Sequence, residues 1–158
     1  MAYLVDTGVL LRLFDRADPE FPAIRDCIRR LRREPDRPRI TPQNLAEFWS
    51  VTTRPTTARG GYGVAVNVAA KRIRFLESIC DILYPSPESL QDWMQLIVTH
   101  SVLGVQVHDA NLAAVMRVAQ VPNVLTLNKA DLVRYPGIVA VTPAELLVNW
   151  PTQPPSNP

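Results

Sequence analysis

The chain alternates short apolar runs with longer stretches in which apolar residues recur at helical spacing. Residues 2–5 read AYLV, and the TGVLLRLFD that follows places Val9, Leu10 and Leu13 on one helical face. The runs RPRIT, NVLTLN and IVAV precede the helical stretches PQNLAEFWSVTT, KADLVRY and TPAELLVNW in the same way. Strands that alternate with helices along a chain usually pair in parallel and are covered by helices on both faces. The sequence therefore predicts an α/β fold with a mostly parallel central sheet.

Length and composition fit one domain of ordinary size. The 158 residues are 47% hydrophobic and 20% charged, and a chain of this length buries about 70% of its unfolded surface on folding. We predict one domain over residues 1–150 and a disordered tail over 151–158, because PTQPPSNP is too rich in proline to pack. We see no apolar stretch long enough for a membrane and no basic export signal, so we expect a cytoplasmic protein.

The sequence predicts the N-cap of one helix and the buried face of another. In DPEFPAIRD, Asp18 is predicted to be the N-cap of a helix whose first turn contains proline. In SPESLQDWMQLIVTHS, the helical spacing predicts one buried face, formed by Leu90, Trp93, Met94 and Ile97.

Polar side chains lie where the predicted strands end and helices begin. Asp6 ends the first strand, and Asn128 and Asp131 follow the strand NVLTL. Glu47 lies among apolar residues in a helix after the second strand, and Asp109 opens an apolar helix. Each of them alone could cap a helix or occupy an exposed face. Ligands of open parallel sheets bind outside the carboxyl ends of the strands, so together these side chains predict a site at that edge.

The chemistry of these side chains favours a metal site. Carboxylates gathered at one edge repel one another, and a divalent cation keeps them ionised. Hard oxygen ligands without clustered Cys or His favour Mg²⁺ or Mn²⁺. The Asp-Thr-Gly at 6–8 also occurs in aspartic proteases, but those enzymes need two such loops in a mostly β body. Here a single copy leads into a helix, which argues against a protease.

Four segments of the chain resemble the motifs of the PIN-domain family, and most closely those of its VapC-type branch of bacterial toxins. They read, in order, YLVDTGVLL, TPQNLAEFWSV, QVHDANLAAVM and VLTLNKADLVRYPGI, and they extend across nearly the whole chain. The resemblance implies a three-layer α/β/α fold and a homodimer. It also implies a Mg²⁺- or Mn²⁺-dependent endoribonuclease that cleaves RNA phosphodiester bonds and is silenced by a cognate antitoxin protein.

The resemblance also assigns roles to individual residues. Asp6, Glu47 and Asp109 match the three main acidic positions of the family, as catalytic residues and metal ligands. Thr126 matches the threonine at the end of the late strand, where it is expected to orient a ligand. One departure is Gly8, because the family usually has asparagine after Asp-Thr. The loss of that side chain predicts a looser loop and weaker activity.

The fourth ligand position and the RNA contacts leave alternatives open. In TLNKADL, either Asn128 or Asp131 fills the fourth position, and both are candidate catalytic residues. Positive charge near these motifs favours the RNA backbone, which makes Arg54, Arg59 and Lys129 candidate RNA-binding residues.

Two other functions compete with the nuclease. A non-catalytic PIN-like module that binds metal or RNA is the main alternative, because Gly8 and Asn128 depart from the family pattern. A receiver-like α/β domain would also gather aspartates at strand ends, but it needs an acidic pair near the first strand. That pair is missing from this sequence.

Overall fold

Five short strands and eight α-helices alternate along residues 2–58 and 60–150, which are the residues that the computed structural model describes. The strands are β1 (Tyr3–Val5), β2 (Arg39–Ile40), β3 (Asp81–Ile82), β4 (Asn123–Leu125) and β5 (Val139–Val141). The helices are α1 (Thr7–Arg12), α2 (Phe21–Leu31), α3 (Pro42–Thr53), α4 (Val66–Ile79), α5 (Pro87–Thr99), α6 (Val107–Val118), α7 (Lys129–Leu132) and α8 (Pro143–Val148). The predicted tail at 151–158 lies outside the described residues.

The strands form one parallel sheet in the order β3-β2-β1-β4-β5. β1 lies at the centre, where Leu4 is in register with Arg39 of β2 and Val5 with Leu125 of β4. All four strand pairs are parallel, so the predicted sheet is confirmed. Because every strand runs the same way, all the carboxyl ends open onto one edge. Asp6 leaves the central strand at that edge.

Helices cover both faces of the sheet, as the three-layer prediction requires. Val5 of β1 packs with buried residues of α1, α2, α3, α4 and α8, among them the fully buried Phe48. Leu4, which points to the other face, packs with α5, α6 and the segment around α7. The alternation of Leu4 and Val5 thus places the central strand between two apolar cores. No helix in the described part is both long and apolar enough to cross a membrane.

The predicted start of α2 is wrong by a few residues. The helix begins at Phe21 with Glu20 as its N-cap. Asp18 lies earlier, where its carboxylate accepts a hydrogen bond from the Glu20 backbone N–H at 2.8 Å and pairs with Arg12 at 3.1 Å. Asp18 therefore closes the turn before the helix and links that turn to α1.

The predicted buried face of α5 is only half right. Trp93 and Ile97 pack against the core beneath α5, but Leu90 and Met94 are 59% and 49% exposed. The fully packed apolar residue is Leu96, at 4% exposure. The helix is thus rotated from the predicted face: its buried residues are Ser89 and Leu96, and Trp93 and Ile97 pack against the same core as Leu96.

Candidate active site

The predicted acidic residues come together at the carboxyl edge of the sheet. Asp6 follows β1, Glu47 lies in α3, Asp109 lies in the first turn of α6, and Asp131 lies in α7. The negative charges of Asp131, Asp6 and Glu47 all raise the pKa of Asp109. Glu47 and Asp131 likewise raise the pKa of Asp6. We refer to these four side chains as the carboxylate cluster.

Burial contributes more than neighbouring charge to the electrostatics of the cluster. Loss of solvent, followed by the charges of the other carboxylates, raises the pKa of Asp109 to about 6. Burial also raises the pKa of Asp6, although hydrogen bonds from the Thr126 side chain and from the Thr7 backbone lower it. Both carboxylates therefore carry an electrostatic cost that a nearby cation would relieve.

The cluster is not closed around a common centre. Within residues 2–58 and 60–150, no three His, Cys, Asp or Glu side chains lie close enough together to hold a metal ion. The cluster is an electrostatic grouping of side chains in this structure.

Asp6 is held by the end of the neighbouring strand. The buried Thr126 hydroxyl donates to Asp6 Oδ2 at 2.8 Å, across 120 positions of sequence. The Asn128 backbone N–H donates in turn to Thr126 Oγ1 at 3.1 Å. The Asp6 N–H bonds the Leu125 carbonyl at 2.9 Å, which continues the β1–β4 ladder. The orientation of Asp6 is therefore set by the strand that leads to the fourth motif.

Both carboxylate oxygens of Glu47 accept hydrogen bonds from side chains. Thr7 Oγ1 donates to Oε2 at 2.7 Å, and Gln43 Nε2 donates to Oε1 at 2.8 Å. Asn44, which is fully buried, donates to Thr7 Oγ1 at 3.1 Å and forms a capping box with Thr41 at the start of α3. The N-terminus of α3 and the Asp-Thr turn are thus fixed to one another through Glu47.

Gln43 extends this network to α6. Its Nε2 also donates to the His108 carbonyl at 3.0 Å, and its Oε1 accepts from Asn111 Nδ2 at 2.6 Å. Sequence reasoning missed this network. A signal was present, because positions 43 and 44 lie one turn before Glu47 on the same face of α3.

The two candidates for the fourth position contact each other. Asn128 is the N-cap residue of α7, and its Nδ2 donates to Asp131 Oδ2. Asp131 is the one whose charge raises the pKa of both Asp6 and Asp109. Asp131 therefore supplies the negative charge at the fourth position, and Asn128 donates the hydrogen bond that orients Asp131.

The two candidate RNA-binding residues that the structure describes, Lys129 and Arg54, contact different side chains. Lys129 Nζ lies 2.8 and 3.0 Å from the two carboxylate oxygens of Glu145, so it forms an ion pair beside the fourth motif. Arg54 is the C-cap residue of α3, and one of its guanidinium nitrogens lies 3.4 Å from Ser50 Oγ. Arg59 lies outside the described residues.

Gly8 leaves room for a side chain, so the departure from the family pattern is open to test. A Cβ at this position would lie 3.6 Å from Arg12 Nη1 and 3.7 Å from Asp6 Oδ2, which are ordinary contacts. Because Gly8 is in α1 and glycine is a poor helix former, we expect Gly8→Ala to raise the free energy of unfolding by ~0.5–1 kcal/mol in urea titrations. A loss of stability would show that the Asp-Thr-Gly turn needs the flexibility of glycine.

Comparison with solved structures supports the fold described above. VapC20 of Mycobacterium tuberculosis, described as a toxin that cleaves the sarcin-ricin loop, aligns with a TM-score of 0.65 and 17% identity over 88% of this chain and 97% of that one. VapBC-1 of nontypeable Haemophilus influenzae aligns with a TM-score of 0.68 and 16% identity over 91% of this chain and 99% of that one. Identities this low show a shared fold. A comparison with curated proteins gave no match.

The family model of the PIN domain matches residues 3–137. That range contains the whole carboxylate cluster, Thr126 and the hydrogen-bond network of Gln43. The predicted resemblance is confirmed: this chain belongs to the PIN-domain family.

Proposed function

We propose that the protein is a metal-dependent endoribonuclease and the toxin of a type II toxin-antitoxin pair. The observation that carries this proposal is the carboxylate cluster at the carboxyl edge of a parallel sheet, where burial and the neighbouring acids raise the pKa of Asp6 and Asp109. Membership of the PIN-domain family supports the same reading, as does the fold shared with a toxin that cleaves the sarcin-ricin loop.

The side chains present fit Mg²⁺ or Mn²⁺. Asp6, Glu47, Asp109 and Asp131 offer the hard oxygen donors that these ions prefer, and burial near the other acids raises the pKa of two of them, Asp6 and Asp109. We propose these four as the residues that would hold the ion. When bound, such an ion lowers the pKa of a water molecule and stabilises negative charge on a phosphodiester.

The surrounding residues prepare the carboxylates for this task. Thr126 holds Oδ2 of Asp6, and Thr7 and Gln43 hold the two oxygens of Glu47. These bonds fix the direction of the carboxylates at sites where charge repulsion would otherwise turn them away. Asn128 does the same for Asp131. In the proposed reaction, these residues orient the ligands and contribute no nucleophile of their own.

We propose that Lys129, Arg54 and Arg59 contact the RNA backbone. Lys129 is the best placed of the described candidates, because it directly follows Asn128 in the fourth motif and its ion pair with Glu145 is partly exposed. A phosphate group could replace the carboxylate of Glu145 as its partner. In sequence, 14 of the 17 Lys and Arg residues lie in residues 1–80, so that half of the chain carries the excess of positive charge. Binding through such contacts weakens as salt concentration rises.

We further propose that the protein acts as a homodimer and is silenced by a cognate antitoxin protein. Similar folds occur in VapBC of Salmonella typhimurium bound to DNA and in a toxin-antitoxin complex from Klebsiella pneumoniae. A basic side chain of the antitoxin inserted into the carboxylate cluster would neutralise it and compete with a metal ion.

Incubation of the purified protein with structured RNA tests the proposed activity. We expect cleavage with Mg²⁺ or Mn²⁺, products with 5′-phosphate and 3′-hydroxyl ends, and no cleavage after addition of EDTA. Cleavage that persists in EDTA would contradict a metal-dependent reaction. RNA binding without cleavage in either metal would support the non-catalytic alternative instead.

A further inference from the structure

We propose that Gln43 is a positioning residue that sets the relative placement of Glu47 and Asp109, and that the affinity of the site for a divalent cation depends on it. This inference rests on the proposed metal-dependent function. It concerns a neutral side chain of the second motif to which the family resemblance assigned no role. Its basis is the geometry of one amide group between two helices.

The Gln43 amide is engaged on both sides. Its Nε2 donates to Glu47 Oε1 at 2.8 Å and to the His108 carbonyl at 3.0 Å, which uses both of its N–H groups. Its Oε1 accepts from Asn111 Nδ2 at 2.6 Å. A side chain held by three hydrogen bonds has little freedom to rotate, so it can transmit a fixed position from one helix to the other.

The bonds connect the segments that carry two of the acids. Glu47 lies one turn after Gln43 on α3, whereas His108 directly precedes Asp109 at the start of α6 and is 65 positions away from Gln43 in sequence. Asn111 lies on the same helix as Asp109, two residues further on. Gln43 therefore joins α3 to α6 at the point where their carboxylates enter the cluster.

A neutral amide suits the position between Glu47 and the start of α6. Glu47 on α3 and Asp109 on α6 carry like charges, and like charges repel one another. A lysine or arginine at position 43 would neutralise the cluster, and a glutamate would add to the repulsion and remove both donors. Glutamine supplies two donors and an acceptor without changing the charge. It can hold the helices together and leave the cluster negative enough for a cation.

Isothermal titration of the metal-free protein with Mn²⁺ tests the role of Gln43. Gln43→Met keeps the length of the side chain but removes its hydrogen bonds, and we expect it to weaken Mn²⁺ affinity by about tenfold or more. Gln91→Met, at an exposed position of α5, is the matched control and should leave the affinity unchanged. Gln43→Glu should not restore it, because the donors are still missing.

The outcomes separate this proposal from the one it rests on. If Mn²⁺ does not bind the wild type, or binds Asp6→Asn equally well, the proposed metal function fails. If Mn²⁺ binds the wild type through Asp6 but binds Gln43→Met as tightly as Gln91→Met, the role of Gln43 is overturned while the metal function stands. Should Gln43→Met fail to fold, Asn111→Ala replaces it: weaker Mn²⁺ binding is expected, and unchanged binding overturns the proposal.

Discussion

Asp6→Asn is expected to lower the rate of RNA cleavage by about a hundredfold or more at saturating Mg²⁺. Asp6 leaves the central strand, and it is the member of the cluster that β1 and β4 fix most directly. Asparagine retains the shape and can still accept from Thr126, but it removes the negative charge. A catalytic metal stabilises the transition state by several kcal/mol, and each ~1.4 kcal/mol corresponds to a tenfold change in rate.

Two comparisons make the Asp6→Asn result specific. Glu77→Gln removes one negative charge from an exposed position of α4 and should cleave RNA as fast as the wild type. Urea unfolding should show that Asp6→Asn is at least as stable as the wild type without metal, because burial disfavours the charged form of Asp6. Cleavage by folded Asp6→Asn at the wild-type rate would contradict the assignment of this site.

Without metal, the ionisation of Asp109 should lower the stability of the protein as pH rises from about 4 to about 6, and Asp109→Asn should remove that contribution. The pKa of Asp109 is about 6 in the folded protein, against about 3.9 in an unfolded chain. Between these values the folded state binds the proton more tightly than the unfolded state, so raising the pH disfavours folding. The effect is absent below the lower value and complete above the higher one.

The size of the Asp109 effect can be bounded. A shift of about two units corresponds to ~3 kcal/mol when fully expressed, but Asp109 is only half-buried and solvent screens its interactions. We therefore expect Asp109→Asn to be more stable than the wild type by ~1–2 kcal/mol at pH 7.5, and similar to it near pH 4. Urea unfolding in EDTA at both pH values measures this difference. Equal stability at pH 7.5 would show that ionised Asp109 does not destabilise the metal-free protein.

The fold was largely predictable from local patterns in the sequence. The alternation of short apolar runs with helical stretches predicted the parallel sheet, and Thr41, Pro42 and Asn44 mark the start of α3 clearly. Errors arose where tertiary packing decided between similar alternatives. Leu90 and Met94 have the spacing of a buried face, but the contact of α5 with its neighbour selects the face that contains Leu96 instead.

The candidate site was predictable as a set of acids at one edge of the sheet but not as an arrangement. Strand ends and the family motifs predicted Asp6, Glu47 and Asp109, and the fold places all three at that edge. The contacts that orient them join residues far apart in sequence, such as Thr126 with Asp6 and Gln43 with His108. No local pattern encodes such pairs, because they arise only when the sheet has brought distant segments side by side.

The strand order has a consequence for the time at which the site appears during synthesis. β1 is translated first, yet it pairs on one side with β4, and the Thr126 hydroxyl that orients Asp6 lies 120 residues later. A nascent chain that has been synthesised only as far as residue 100 contains Asp6 and Glu47 but lacks the segments that carry Asp109 and Asp131. Pairings this distant in sequence form late in folding. A ribosome making this protein is therefore exposed to an assembled acidic edge only after the segment that carries Thr126 and Asp131 has emerged.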